Sequence, residues 1–160
     1  MDAIAAVYAD WGIGADGTQP VTVRADRRRF RELTDGAAVI VGRRTLADFP
    51  GGRPLRGRHN IILTTRDLTI PGAEVVHSAA EAVEAAGKHD RCFVIGGASV
   101  YRLLMPYIDR AFITELDARP VSDSFLPNLA ADGAWTLAEA GPWLDEDGVR
   151  YRFCTYERAK

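Results

Sequence analysis

Four short runs of almost wholly apolar residues, each opening into glycines, hydroxyls or arginines, constrain this chain most. They are Ala3-Ile4-Ala5-Ala6-Val7-Tyr8, Ala37-Ala38-Val39-Ile40-Val41, Ile61-Ile62-Leu63 within the segment 59–65, and Cys92-Phe93-Val94-Ile95. None has helical period or polar alternation, so each predicts a strand covered on both faces, as in a parallel sheet. Helix-like stretches lie between them. Residues 25–34 carry charge on most sides with Phe30 and Leu33 apolar, and Gly36 closes the segment, which predicts a short surface helix. Ser78 stands three residues before Glu81, the capping-box spacing, and opens a helix to about Ala86 that stops at Gly87. A further helix follows Gly96-Gly97-Ala98-Ser99 and runs to about Met105. Short strands are predicted at 74–76 and 111–115. The runs around 135–137 and 151–156 alternate more and predict an antiparallel edge pair. Strands interleaved with single helices predict an α/β sheet with parallel crossovers, ending in an antiparallel hairpin.

At 160 residues, 47% hydrophobic and 26% charged, the chain is expected to form one domain over 1–160 without disulfide staples. Its formal net charge is −2, which excludes a nucleic-acid binder that relies on bulk positive charge. All but two of its 20 basic residues are Arg, the better clamp for carboxylates and phosphates. Cys92 and Cys154 lie in apolar runs and read as buried thiols of a reducing compartment. Residues 1–8 lack the basic region of a signal peptide, and no run of about 18 apolar residues spans a membrane. A cytoplasmic protein with neither nucleic-acid nor membrane partners is expected.

In open α/β sheets ligands bind at the carboxyl ends of the strands. Here those ends carry Gly12, Gly14 and Gly17; Gly42-Arg43-Arg44-Thr45; Thr64-Thr65-Arg66; and Gly96-Gly97-Ala98-Ser99-Val100-Tyr101. Arginines, hydroxyls and backbone N–H groups at helix starts are equipment for phosphates. Together they point to a long phosphorylated ligand, with Arg44, Thr64, Thr65 and Arg66 suited to a compact phosphate group. Gly12-Ile13-Gly14-Ala15-Asp16-Gly17 opens a loop rather than a helix and so fails the dinucleotide fingerprint. No P-loop is present. His59, His77 and His89 are scattered, and no cluster has metal spacing. Asp26 sits in the first turn of its helix with Phe30 four residues on, one stripe presenting an acid beside an aromatic ring. That pair suits a flat, hydrogen-bonding heterocycle.

These features occur in a particular order. Gly12-Ile13-Gly14, Asp26 with Phe30, the run Val39 to Thr45, the run Arg53 to Leu63, the run Val94 to Tyr101, Phe112-Ile113-Thr114-Glu115 and Phe125-Leu126-Pro127 follow one another as in dihydrofolate reductases, which the chain resembles along essentially its whole length. The resemblance implies an eight-stranded, mostly parallel mixed sheet with helices on both faces, and reduction of 7,8-dihydrofolate by NADPH in a monomer. It gives Asp26 the catalytic role of holding the pterin amidine edge, with Ile4, Ala5, Ala6, Phe30, Phe49, Leu55, Ile95 and Tyr101 around the substrate. Thr114 would bridge to Asp26, Arg58 would pair with the folate α-carboxylate, and Arg27 and Arg53 would flank the same ligand. For NADPH it implies Ala6, Ile13, Gly14, Gly17, Thr18 and Gln19 from the first loop, then Gly42, Arg43, Arg44 and Thr45. Leu63, Thr64, Thr65, Arg66 and His77 follow, and Ile95, Gly96, Gly97, Ala98, Ser99, Val100 and Tyr101 complete the set. The Gly96–Gly97 bond would be cis, and 9–23 would be a mobile loop closing over the nicotinamide. No metal is implied.

The chain departs from the family's usual pattern at Val21, where a Trp is common, at Gln19, where Met or Leu is, and at Arg24, where Pro is. Arg27 and Arg31 stand where apolar residues usually line the cleft wall. Two other functions are compatible with the fold: a riboflavin-pathway pyrimidine reductase and a non-catalytic nucleotide-binding module. The former family lacks the acid-plus-aromatic pair and the second arginine of the Arg53–Arg58 segment.

Overall fold

In the computed structural model, which describes residues 1–159, strands and helices alternate through most of the chain. They are β1 (Asp2–Val7), β2 (Gly12–Gly14), α1 (Arg24–Thr34), β3 (Ala38–Gly42), α2 (Arg43–Ala47), β4 (His59–Leu63), β5 (Ala73–Val76), α3 (Ala79–Ala86), β6 (Cys92–Gly96) and α4 (Ala98–Leu104). Then come β7 (Arg110–Leu116), β8 (Ser124–Phe125), β9 (Trp135–Ala140), β10 (Leu144–Glu146) and β11 (Val149–Arg158). The main sheet has the order β10-β11-β7-β1-β6-β3-β4-β5, with β9 also on β11. All ladders from β7 across to β5 are parallel, and β11 runs antiparallel to β7, β9 and β10. β10 pairs with the start of β11 and β9 with its end, on the side away from β7. Nine strands therefore fill eight sheet positions.

Strict alternation along the buried strands sorts side chains onto two faces. Ala38, Ile40, Ile61 and Val94 face one core with Ala82, Ala85, Val100 and Leu104 of α3 and α4. Val39 and Phe93 face the other, against Phe30 and Leu33 of α1, and Val41 and Ile62 meet Leu46 of α2. Because both faces are covered, the central strands need apolar residues at every position, and Ala38 through Val41 are fully buried.

Three features differ from the sequence expectation. β11 lies inside the sheet rather than at its edge, since β7 covers one side and β9 with β10 the other. β10 and β11 form a hairpin of their own around Asp147 and Gly148, both at positive φ. A separate two-stranded sheet joins β2 to β8, and there Gly12 permits contact: a Cβ at this position would lie 2.2 Å from Ser122 Oγ. The same segments are clasped by Asp16 N–H donating to Asp123 Oδ2 at 2.9 Å, and Asp123 N–H donating to the Gly14 carbonyl at 3.0 Å.

Helix ends follow from local chemistry in one case and from distant residues in another. Ser78 Oγ accepts the Glu81 N–H at 3.1 Å, and the Glu81 carboxylate returns to His77 N–H at 2.6 Å. Val23 at the start of α1 offers no capping side chain. Glu146 of β10 replaces it, accepting the N–H groups of Arg24 at 2.6 Å and Ala25 at 3.2 Å. Gly36 (φ +74°) turns the chain out of α1.

Candidate active site

The carboxyl ends of β1 and β6 open onto a cleft of about 680 Å3. α1 forms one wall. Its first turn carries Asp26 into the cleft, where Thr114 Oγ1 of β7 donates to Asp26 Oδ1 at 2.6 Å. Thr114 itself is buried behind the acid and does not line the cleft. Burial pushes the Asp26 carboxyl above its usual range; the Thr114 bond, then the charges of Arg29 and Arg27, pull it partly back. Phe30, one turn on, places its ring beside the acid on the same wall.

Ile4, Ala5 and Ala6 of β1 and Ile95 of β6 line the interior of the cleft, with Phe49 and Leu55 contributed by the segment after α2. Tyr101 of α4 also reaches the cleft, and its hydroxyl donates to the Ile4 carbonyl at 2.6 Å. Arg58 is held in place by Nε donating to Thr34 Oγ1 at 3.1 Å and Nη1 donating to the Arg56 carbonyl at 2.7 Å. Its guanidinium carbon sits 5.9 Å from the centre of the Phe30 ring, and burial lowers its pKa. Arg27 and Arg31 line the rim while staying exposed, and Arg27 Nη2 reaches Thr22 Oγ1 at 3.3 Å. Arg53 is exposed and lies off the lining.

The other end of the cleft is bounded by Ile13, Gly14, Gly17, Thr18 and Gln19 of the first loop, by Thr45 of α2, and by Gly96, Gly97 and Ala98. The Gly96–Gly97 peptide bond is cis. A Cβ on Gly97 would come 2.9 Å from Thr45 Oγ1, so any side chain here would force Thr45 to move. Gly42, Arg43, Arg44, Leu63, Thr64, Thr65, Arg66 and His77 fall outside the cleft lining. They gather instead at the neighbouring ends of β3, β4 and β5, where Gly42 pairs with Leu63 and Leu63 with Val76. Arg44, Thr65, Arg66 and His77 are exposed there, and His77 Nδ1 donates to the Thr64 carbonyl at 2.9 Å. Ser99 is exposed at the start of α4. Leu63 and Val100 turn their side chains into the α3/α4 core, because their strand and helix positions face inward.

Asp48, Pro50 and Ser124 also line the cleft. Asp48 and Pro50 flank Phe49, and that adjacency is the only sequence signal for them; Ser124 arrives through the β2–β8 pairing and has none.

A profile of the family described as dihydrofolate reductase matches residues 1–158. The chain is 39% identical over 153 residues to a dihydrofolate reductase of Mycobacterium leprae, covering 92% of this chain and 91% of the relative. It is 33% identical over 158 residues to that of Bacillus subtilis, covering 97% and 92%. A solved dihydrofolate reductase from Enterococcus faecalis, complexed with NADP(H) and RAB-propyl, superposes with a TM-score of 0.88 at 28% identity, covering 99% of this chain and 96% of that one. With matched family sequence over nearly every residue and a shared fold around the Asp26 cleft, the chain belongs to the dihydrofolate reductase family.

Proposed function

We propose that this chain reduces 7,8-dihydrofolate to 5,6,7,8-tetrahydrofolate with NADPH, acting in the cytoplasm as a one-domain monomer whose partner is the small-molecule substrate. One observation carries the reading: a single desolvated carboxylate, Asp26, is fastened by Thr114 at 2.6 Å beside the aromatic wall of Phe30. A buried acid of that kind grips a two-donor amidine edge strongly, because charge-assisted hydrogen bonds strengthen away from water.

The residues present fit the cofactor. Gly97 forms a backbone edge that a Cβ would fill, and Arg43, Arg44, Thr64, Thr65 and Arg66 gather donors for phosphate at adjacent strand ends. When bound, NADPH supplies the hydride that pterin C6 accepts. Asp26 orients the pterin and sets its tautomer, while N5 takes its proton from water, since an acid gripping the far edge cannot also reach N5. Ile4, Phe30, Phe49 and Ile95 exclude bulk water and align the ring, and the clasp between Asp16 and Asp123 holds the loop that borders the cleft. Arg58 pairs with the folate α-carboxylate.

Loss of absorbance at 340 nm with dihydrofolate and NADPH tests the reading. Turnover there supports it. NADPH binding without turnover would make the chain a nucleotide-binding module, and turnover with a ribosylated pyrimidine alone would make it the other reductase.

A further inference from the structure

Arg29 is a misfit in its surroundings. It lies on α1 three residues after Asp26, on the helix face turned toward β7 and β11. Phe112 and Thr114 share one face of β7, and Phe153 of β11 is the cross-strand partner of Thr114. The Arg29 guanidinium carbon lies 4.5 Å from the centre of the Phe153 ring and 5.6 Å from that of Phe112. One patch of sheet thus holds both residues: Thr114 takes the acid, and the two rings beside it take the base. Arg29 Nη1 is fully buried and meets no protein acceptor. Among the described residues Arg29 enters no ion pair within 4 Å. A hydrocarbon would fill an aromatic slot at less cost than a desolvated cation, so packing alone does not account for an arginine here.

We propose that Arg29 is a positioning residue for Asp26: from behind the cleft, its partly buried guanidinium holds the Asp26 side chain in the ionised form that grips the pterin edge. The proposal rests on the reading of Asp26 given above. The other groups around the pair leave Arg29 as the effective charge. Facing Asp26 are Thr114 on β7, Arg27 on α1 and Tyr101 on α4. Arg27 is exposed, so water screens it, and burial holds Tyr101 in its neutral form. Facing Arg29 are Cys154 on β11 and Glu139 on β9. The Cys154 thiol is pushed up to about 11 by burial and stays neutral, while Glu139 is exposed. Glu115, next to Thr114 in β7, is already paired with Arg152 at 2.7 Å and accepts from the Tyr156 hydroxyl at 3.1 Å. Among the described residues Arg29 is accordingly the one partly buried cation near the acid with no ion-pair partner within 4 Å, and burial lowers its own pKa while Asp26 raises it.

The test is a 13C NMR titration of aspartate carboxyl carbons in the free protein, with Asp26→Asn identifying the resonance. Wild type, Arg29→Met and Arg29→Lys are compared, with thermal melts of each. Arg29→Met should raise the Asp26 midpoint by about one pH unit, a tenfold gain in proton affinity. Below the carboxylate range, where Asp26 is neutral in both proteins, it should also melt no lower than wild type, because a hydrocarbon relieves the partly buried cation. Arg29→Lys should keep the midpoint nearer to wild type. An unchanged midpoint in folded Arg29→Met overturns the proposal, as does a lysine variant shifted as far as the methionine one. Failure of Arg29→Met to fold also overturns it, since a side chain needed only for its charge leaves a slot that methionine can occupy. The titration needs no substrate, so an inactive wild type would sink the functional reading and leave this result readable.

Discussion

Thr114 and Asp26 are 88 positions apart in sequence and 2.6 Å apart in space, and their hydrogen bond joins the sheet to the helix that carries the acid. Thr114 is buried, so its hydroxyl has no competing water and donates in one direction only. Replacing it by valine conserves shape and removes the donor. A hydrogen bond to a charged acceptor is worth about 1.5–3 kcal/mol, so Thr114→Val should lower kcat/KM for dihydrofolate by roughly 10- to 100-fold. Thr114→Ser should recover most of it. Steady-state kinetics of the two variants check this; a loss in Thr114→Ser with Thr114→Val unchanged would show that the methyl rather than the hydroxyl matters.

Asp26 is held in the fold at a cost. Its folded-state pKa is raised by burial, so its contribution to stability is complete below the unfolded carboxylate pKa and is lost as pH rises through the folded one. At pH 7 the ionised acid therefore destabilises the protein. Asp26→Asn should melt higher than wild type at neutral pH, with the gap narrowing as pH drops through the carboxylate range. Turnover should fall by about 100- to 1,000-fold at pH 7, the scale of a lost electrostatic contact in a transition state. Melts at two pH values together with initial rates decide it; a variant less stable than wild type at pH 7 would contradict the sign.

Glu146 works the opposite way. Its pKa is lowered, first by the Arg24 N–H and with help from the Ala25 N–H and the Arg24 side chain. Stability from a depressed acid is present above its unfolded pKa and lost as pH falls through the folded one. Glu146→Ala leaves the α1 amides uncapped, so its melting temperature should lie below wild type at pH 7. The two melting curves should converge below the usual glutamate range. A deficit that persists unchanged in acid would assign the effect to the hairpin instead of the cap.

Cofactor choice should reside at the ends of β3 and β4. If Arg44, Thr64, Thr65 and Arg66 surround the 2′-phosphate that distinguishes NADPH from NADH, NADPH should be preferred by at least about tenfold, roughly 1.4 kcal/mol. Arg44→Ala should erode that preference and leave NADH use nearly unchanged. An equal loss with both cofactors would place Arg44 elsewhere.

The parts of this fold that were legible in the sequence are those decided locally. The apolar runs at 37–41 and 92–95 read as buried strands because a strand covered on both faces has no polar positions, and the observed strands differ by a residue or so at their ends. Ser78 read as a cap because capping is a contact within four residues. β2 and β8 were not legible. Their few residues form strands only because Gly12 allows Ser122 to approach, a relation across 110 positions. The hairpin of β10 did leave a local mark in Asp147-Gly148, a turn pair of the kind two-residue hairpins favour. In the site, Asp26 with Phe30 stood out as one stripe. Arg29 did not, because an arginine among Arg27, Arg28 and Arg31 looks like part of a solvated face, and only the aromatic slot between β7 and β11 turns it inward. The Glu146 cap was equally hidden, since nothing near Arg24 in the chain announces a carboxylate 122 residues away.

Arg27 separates two roles that its position allows. It lines the rim of the cleft, is exposed, and spends one Nη2 donor on Thr22. Arg31 and Arg58 line the same cleft. A cation there attracts the carboxylates of the folate glutamate through solvent, an interaction worth about 0–1 kcal/mol and screened by salt. Arg27→Leu should therefore raise the KM for dihydrofolate a few-fold, leave kcat nearly unchanged, and flatten the dependence of KM on ionic strength. The new leucine also extends the apolar wall beside Phe30, so lipophilic inhibitors of the cleft should bind the variant more tightly. KM measured across a salt series in both proteins decides between steering and bystander: superimposable curves with unchanged inhibitor affinity would leave Arg27 as a helix-surface arginine that merely ties down Thr22.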